Sequence, residues 1–394
     1  MKAVIVSDTH IGEYCYGKVD VNTGLNTRLL DFLSNLDKSI DFAIEKKVDV
    51  YIIVGDIYRI KNPGSKIRKQ FASRLARLIS NRIMTVLVTG NHDMTVSSDG
   101  AHSMSEMQEL SGLIDKLRVI SEPELITIKK TDLYFLPFVN RSEQKLLMPE
   151  DFLKYQVEKV KEFNEALDSS KKSLFFGHFG VDKSVIGGSF DLDMSSNEFE
   201  NKMMLSDFSD DWTKIYLGHI HKNQEFNEVA RHVGSIGRVD FSEEKEKKGF
   251  YFYEDGDDEF IEIDDREFKT FELKLVNDNY NEELNRLMKS ISKIDLTKSI
   301  VKIKVDVLQT YYTVIKLDKL ESYLRSNSWH FAGTNVNVIT NEVIDESVEK
   351  ITSIDLPDQA VRKYVKKHLD RFSDIEDKIV ERGCRILEIV KNEA

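Results

Sequence analysis

The stretch IYLGHIHKNQ, residues 215–224, is an apolar run that ends in two histidines separated by one residue. Side chains of an extended chain alternate between faces, so His219 and His221 point the same way, a few ångströms apart. Two imidazoles so placed at a strand end call for something held between them.

Outward from this stretch, the first half of the chain repeats one rhythm, in which an apolar strand ends in Gly, Asp, Asn or His and a helical stretch follows. AVIVSDTHIG precedes a segment with helical apolar spacing (Leu29, Leu30, Leu33, Leu36, Ile40, Ala43, Ile44), and VDVYIIVGDIY is the next strand. SKIRKQFASRLARLI then leads to IMTVLVTGNHD, and EDFLKYQVEKVKEFNEAL leads to SLFFGHFG. TKIYLGHIH, EVARHVGSIG and GFYFYEDGDDEFIEI read as short strands joined by turns, a sheet continuing without crossover helices. The class is α/β with packed sheet layers.

Near residue 266 the pattern shortens to a strand (SIVKIKVDV), a helix (LDKLESYLRSN) and a strand (NVNVIT), which reads as a small separate domain. A polar connector leads from there to two helices. The last begins at SDIE, where Ser373 and Glu376 fit a capping box, and Ile375, Ile379, Val380, Ile386, Leu387 and Val390 form one stripe. The expected division is 1–265, 266–345 and 346–394.

The composition narrows the function classes. At 394 residues, 41% hydrophobic and 31% charged, the chain can bury a core and is long enough for two domains or more. No apolar run approaches the roughly 20 residues that span a bilayer, and MKAVIVSDTH turns polar too early for a signal peptide. Cys15 and Cys384 are the only cysteines, which leaves neither a disulfide framework nor a thiolate zinc site. A formal charge of −12 argues against a duplex binder with a basic face, yet leaves room for a nuclease whose metal ions add local positive charge.

Five strand ends carry metal-ligand chemistry: Asp8 and His10 in SDTH, Asp56 in GDIY, Asn91 and His92 in GNHD, His178 in GHFG, and His219 with His221 in GHIH. In open α/β sheets the carboxyl ends of neighbouring strands line one crevice, so these groups can converge. Imidazole, carboxylate and amide oxygen suit hard or borderline divalent ions. Seven ligands are too many for one ion. Two ions about 3.5–4 Å apart, bridged by a carboxylate, would use them all and clamp both oxygens of a phosphoryl transfer.

The ordered set D-x-H, G-D, G-N-H-D, G-H, G-H-x-H, over residues 5 to 225, resembles that of the calcineurin-like metallophosphoesterases. HVGSIGRVDFSEEKEKKGFYFYE is similar to the segment that follows G-H-x-H in double-strand-break repair nucleases of the SbcD and meiotic-recombination (Mre) type. The resemblance implies a metallophosphoesterase sandwich of two β-sheets flanked by helices, with a small α+β capping (DNA-binding) domain and a C-terminal helical segment. It implies Asp8, His10, Asp56 and His221 on one metal and Asp56, Asn91, His178 and His219 on the other. His92 is then the general acid for the leaving sugar oxygen or the group that steadies the scissile phosphate. Three residues after Asp56, where the family often has His or Asp, this chain has Arg59, which suits a phosphate contact. Arg238 in GSIGRVDF is a second candidate phosphate contact.

The function expected from the resemblance is a manganese-dependent DNA nuclease, with magnesium as the other candidate ion. It would be a 3′ to 5′ exonuclease on duplex ends and an endonuclease on single strands. It would act in an SbcCD-like repair and recombination complex, as a homodimer, docking a coiled-coil ATPase of the SbcC type through the C-terminal helices. The setting would be the cytoplasm of a bacterial or virus-infected bacterial cell, with no membrane involvement. The helix after PGSKIRK, or the stretch HSMSEMQELSGLI, is the expected dimer contact.

Bland readings stand beside these. A single histidine at a strand end is more often structural, and His102, His232, His330 and His368 match nothing in the set. Asp93 reads as a loop carboxylate or one that orients a histidine. The basic run Arg59, Lys61, Lys66, Arg68, Lys69, Arg74 and Arg77 is either a grip on a DNA backbone or a solvated helix face. Two rival functions remain: a phosphoesterase acting on small phosphodiesters or phosphoproteins, and a non-catalytic scaffold.

Overall fold

A computed structural model of the chain describes residues 1–94, 102–138, 149–185, 203–275, 280–312 and 315–339. The C-terminal helices expected after residue 345 lie outside these residues.

Two six-stranded sheets hold the first 265 residues. The first contains β1 (Lys2–Ser7), β2 (Val50–Val54), β3 (Met84–Val88), β4 (Leu117–Ile120), β11 (Gly249–Glu254) and β12 (Asp257–Glu262), in the order β12-β11-β1-β2-β3-β4. The second contains β5 (Glu124–Ile128), β6 (Thr131–Leu136), β7 (Lys172–Gly177), β8 (Lys214–Leu217), β9 (Gln224–Glu225) and β10 (Ala230–His232), in the order β5-β6-β7-β8-β10-β9. Neighbours from β1 to β4 pair in parallel, as do β6, β7, β8 and β10.

The sheets face each other. Ala3, Ile5, Val50, Ile52, Val54, Val86 and Val88 of the first meet Leu133, Phe135, Leu174, Phe176 and Tyr216 of the second in one core. The alternate residues Val4, Val6, Tyr51, Ile53 and Leu87 face outward against α1 (Thr27–Lys46) and α2 (Ser65–Ser80). Burial on both faces is why these strands read as unbroken apolar runs. Helix α1 starts where Asn26 Oδ1 accepts the Arg28 and Leu29 amides at 2.8 and 3.2 Å, and it stops at Lys47 in the left-handed region, φ 52°. Its Leu29, Phe32, Leu33, Leu36 and Ile40 line the core.

One sequence expectation changes. GFYFYEDGDDEFIEI does not continue the second sheet beyond β10. It returns to the first as the β11–β12 hairpin, antiparallel to β1, with Val4 opposite Phe252 and Ile5 opposite Tyr251. Burial explains the return. Phe250 and Phe252 complete the helix-side core and Tyr251 and Tyr253 the core between the sheets, and the pairing covers a β1 edge that would otherwise expose its backbone.

The described residues between 267 and 339 include a three-stranded sheet, β13 (Glu267–Leu275), β14 (Leu296–Leu308) and β15 (Ser328–Ile339), in that order, with helices Tyr280–Ile291 and Asp318–Asn327. By backbone contacts, residues 1–306 and 315–337 form one compact unit. A second unit comprises 307–314 and 338–394, of which 307–312, 338 and 339 are described. Among the described residues no helix is long and apolar enough to cross a membrane.

Phe71 of α2 is fully buried and meets the Tyr58 ring edge-on at 5.4 Å, just beyond the Asp56 turn. Phe71→Ala is expected to cost about 3–5 kcal/mol, read as a lower urea midpoint, because the cavity opens in a close-packed layer.

Candidate metal centre

The five motifs follow β1, β2, β3, β7 and β8, so both sheets deliver their carboxyl ends to one place. The loops after β1 and β2 stay paired: the Asp8 amide donates to the Gly55 carbonyl (3.2 Å), His10 to Asp56 (2.9 Å) and Ile11 to Ile57 (2.8 Å). Asp8, His10, Asp56 and His219 all have positive φ (47°, 38°, 48° and 79°), a region where Asn, Asp and His are enriched among non-glycine residues. Two glycines allow the approach. A Cβ at Gly55 would overlap the His178 ring, and one at Gly90 would overlap the Asp56 carboxylate.

Two groups of side chains result. Asp8, His10 and His221 offer ligand atoms within 4.8 Å of one another, and so do Asp56, His178 and His219. Asp56 joins them: Oδ2 lies 3.6 Å from His10 Nε2 and Oδ1 lies 3.3 Å from His178 Nε2. Asn91 Oδ1 is 3.2 Å from His178 Nε2 and 3.1 Å from His219 Nδ1. His92 also reaches the middle of the cluster, with His10 and Asp56, and its ring meets the His10 ring edge-on at 4.9 Å. All seven residues expected to be ligands are thus brought together, with His92 beside them.

Backbone and carboxylate partners aim the rings. His178 Nδ1 lies 2.9 Å from the Val54 carbonyl and His221 Nδ1 lies 2.8 Å from Glu243 Oε1. Each of those nitrogens carries the hydrogen, which turns Nε2 toward the cluster. His10 Nε2 and His221 Nε2 then face each other at 2.8 Å, and His178 Nε2 faces two oxygen acceptors. Nitrogen lone pairs and carboxylate oxygens at these distances need a proton or a cation between them. Burial opposes the charge of His178, but Asp56 and Asp8 outweigh it and raise its pKa to about 9. Burial and the neighbouring His178 push His219 down to about 3. Burial would raise Asp56, but the imidazoles of His178, His92 and His10 hold it well below the usual carboxylate range. Two carboxylates, four imidazoles and an amide oxygen, with no thiolate, fit a pair of divalent ions of the manganese, iron or zinc kind.

The remaining candidates separate. His92 donates its amide to Asp56 Oδ1 at 2.9 Å, and its Nδ1 lies 3.1 Å from the Arg59 carbonyl. The Arg59 guanidinium stacks 4.2 Å above the Tyr14 ring, whose hydroxyl donates to the His10 carbonyl at 2.6 Å. Arg238 is engaged elsewhere, donating to the Glu246 carbonyl at 2.7 Å and facing Asp265 at 3.5 Å. Asp93 orients backbone: it accepts from the Gly90, Ile57 and Tyr58 amides at 3.0–3.3 Å, tying the Asp56 and Asn91 turns together, and from Ser103 Oγ at 3.1 Å. Burial and Asp56 raise its pKa to about 6.

Within the basic run, Arg74 and Arg77 pair with Asp37 at 2.6 and 2.8 Å and Arg68 with Glu106 at 2.6 Å. His232 bonds Ser184 and the Leu217 carbonyl, and His330 lies against Tyr16. His102 accepts the Met104 amide, and His368 lies outside the described residues. Sequence reasoning missed Glu243 and Lys248. Both sit in the charged run SEEKEKKG, whose composition signals an exposed turn, yet both are buried.

Comparison with known proteins gives a consistent picture. A family model described as calcineurin-like phosphoesterase matches residues 1–223. The chain is 25% identical over 307 residues to the DNA double-strand break repair protein Mre11 of Methanocaldococcus jannaschii, covering 74% of this chain and 75% of that one. It is 21% identical over 425 residues to the protein of the same name from Sulfolobus acidocaldarius, covering 96% and 100%. Among solved structures, a dimetal phosphatase from Danio rerio superposes over 64% of this chain and 91% of its own at 11% identity, with a TM-score of 0.39, too loose to bear weight.

Because His178 keeps its proton up to about pH 9 when no metal is bound, an ion that takes its Nε2 expels that proton. Manganese binding near neutral pH is therefore expected to release protons, and the apparent affinity to rise with pH up to about 9. Calorimetry in buffers of differing ionisation enthalpy reads both.

Proposed function

Because the chain belongs to the calcineurin-like phosphoesterase family and is a hydrolase of phosphodiester bonds, we propose that its substrate is DNA. The reading is a manganese-dependent nuclease, 3′ to 5′ on duplex ends and endonucleolytic on single strands, within an SbcCD-like repair complex. One observation carries the chemistry: a buried Asp56 whose two oxygens face two separate ligand groups. The choice of DNA is supported by relatives named as double-strand break repair proteins, matched over three quarters or more of their length.

In this reading Asp8, His10 and His221 would hold one ion and Asn91, His178 and His219 the other, with Asp56 shared between them. Such a pair would supply a water of lowered pKa and positive charge beside the phosphoryl group. The protein's residues do the rest. His92, with Nδ1 on the Arg59 carbonyl, uses Nε2 to deliver a proton to the leaving sugar oxygen. Arg59, held over Tyr14, contacts the phosphate through its guanidinium. Arg238 is left out of this role because Asp265 and the Glu246 carbonyl already occupy it.

The residues from 266 to 345 are proposed to cap the DNA, and those from 346 to dock a coiled-coil ATPase. The subunit pairs with a second copy through α2 or residues 102–114, and works in the cytoplasm.

The test is an end-labelled linear duplex incubated with the purified protein and manganese, magnesium or EDTA. Manganese-dependent shortening from 3′ ends, absent in Asp56→Ala, is expected. An intact duplex, with bis-p-nitrophenyl phosphate hydrolysed by the same preparation, would move the substrate to small phosphodiesters. His92→Ala is expected to keep both metals in a manganese titration and to lose turnover by about 100- to 10,000-fold, the usual contribution of a positioned acid. His219→Ala should lose metal as well.

A further inference from the structure

A buried ion pair stands behind His221. Glu243 and Lys248 are fully enclosed, with Lys248 Nζ 2.9 Å from Glu243 Oε2. The two carboxylate oxygens are divided between tasks. Oε1 accepts His221 Nδ1 at 2.8 Å, while Oε2 takes the Val239 amide, also at 2.8 Å, together with the lysine. Lys248 reaches the His221 main chain too, at 3.1 Å from its carbonyl, and adds Ser235 Oγ and Glu246 Oε2, each at 2.8 Å. One ion pair therefore grips both the ring and the backbone of the same histidine.

Stability alone does not call for such a pair, since apolar residues of similar volume commonly serve a fold as well or better than a buried salt bridge. The second ligand group is built differently. His178 is aimed by the Val54 backbone carbonyl, a neutral acceptor that no side-chain substitution removes. A carboxylate behind a ligating imidazole raises its basicity more than a carbonyl does, and it fixes which nitrogen faces the metal.

We propose that Glu243, locked by Lys248, is a positioning residue for the ion held by Asp8, His10 and His221, and that it acts on this ion and not on its neighbour. The inference rests on the reading of His221 as a metal ligand. Glu243 touches no substrate. It holds Nδ1–H of His221, points Nε2 into the cluster and gives one half of the centre a stronger donor than the other.

Manganese titration of the full chain by calorimetry tests it, with binding steps fitted separately for wild type and Glu243→Gln. The Gln side chain keeps the shape and an acceptor oxygen but removes the charge. One binding step is expected to weaken about 10- to 100-fold, the usual cost of altering such a partner, while the other stays within about threefold. Glu243→Asp keeps the charge but is too short to reach the ring, and it should weaken the same step, which serves if the Gln variant does not fold. Equal weakening of both steps would mark Glu243 as a general structural support and overturn the proposal, as would no change in either. Wild type that binds fewer than two ions would instead overturn the ligand assignment beneath it.

Discussion

Three carboxylates buried against one another, Asp8, Asp56 and Asp93, set the terms for everything around them. Like charges out of water repel strongly, and such a group persists only with cations or protons beside it. The fold separates the two parts of the solution. The sheet containing β1, β2 and β3 supplies the carboxylates, while β7 and β8 of the facing sheet supply His178, His219 and His221. The two layers meet at the centre through the His178 ring, which reaches across to the Val54 carbonyl and to Asp56.

The carboxylates then sort by environment. Asp56 is drawn low by three imidazoles, and Asp8 is raised by burial even with His178 nearby. Asp93 accepts from backbone amides and from the Ser103 hydroxyl, and burial and Asp56 bring it to about 6. Asp56, which lies between the two groups of side chains, is held ionised, while Asp93, which ties loops together, is drawn up toward neutrality.

Much of this was legible in the sequence, for a physical reason. Parallel strands buried on both faces must be apolar throughout, so VYIIV and the runs before GNHD and GHFG stand out, and the polar residues just past them have no packing reason to be there. What was not legible depended on distant contacts. GFYFY looks like a further strand of the preceding sheet, and only the open edge of β1, about 250 residues earlier, decides its place. The charges of SEEKEKKG carry no sign of burial, because composition cannot reveal that Glu243 and Lys248 satisfy each other and His221 indoors. Asp93 is chemically plausible as a partner for imidazole, and only the crossing of two turns assigns it to amides. Arg74 and Arg77 offer a similar lesson, since the acids that neutralise them lie on α1, one strand earlier.

The left-handed backbone at Asp8, His10, Asp56 and His219 has a consequence for engineering. Asp, Asn and His are the side-chain-bearing residues that tolerate that conformation best, and they are also good ligands for hard and borderline ions. Backbone shape and coordination chemistry therefore select the same few amino acids at the same positions. A graft that copies these four side chains onto ordinary strand ends would aim them wrongly; the transferable unit is the set of tight turns, and the side chains come with it.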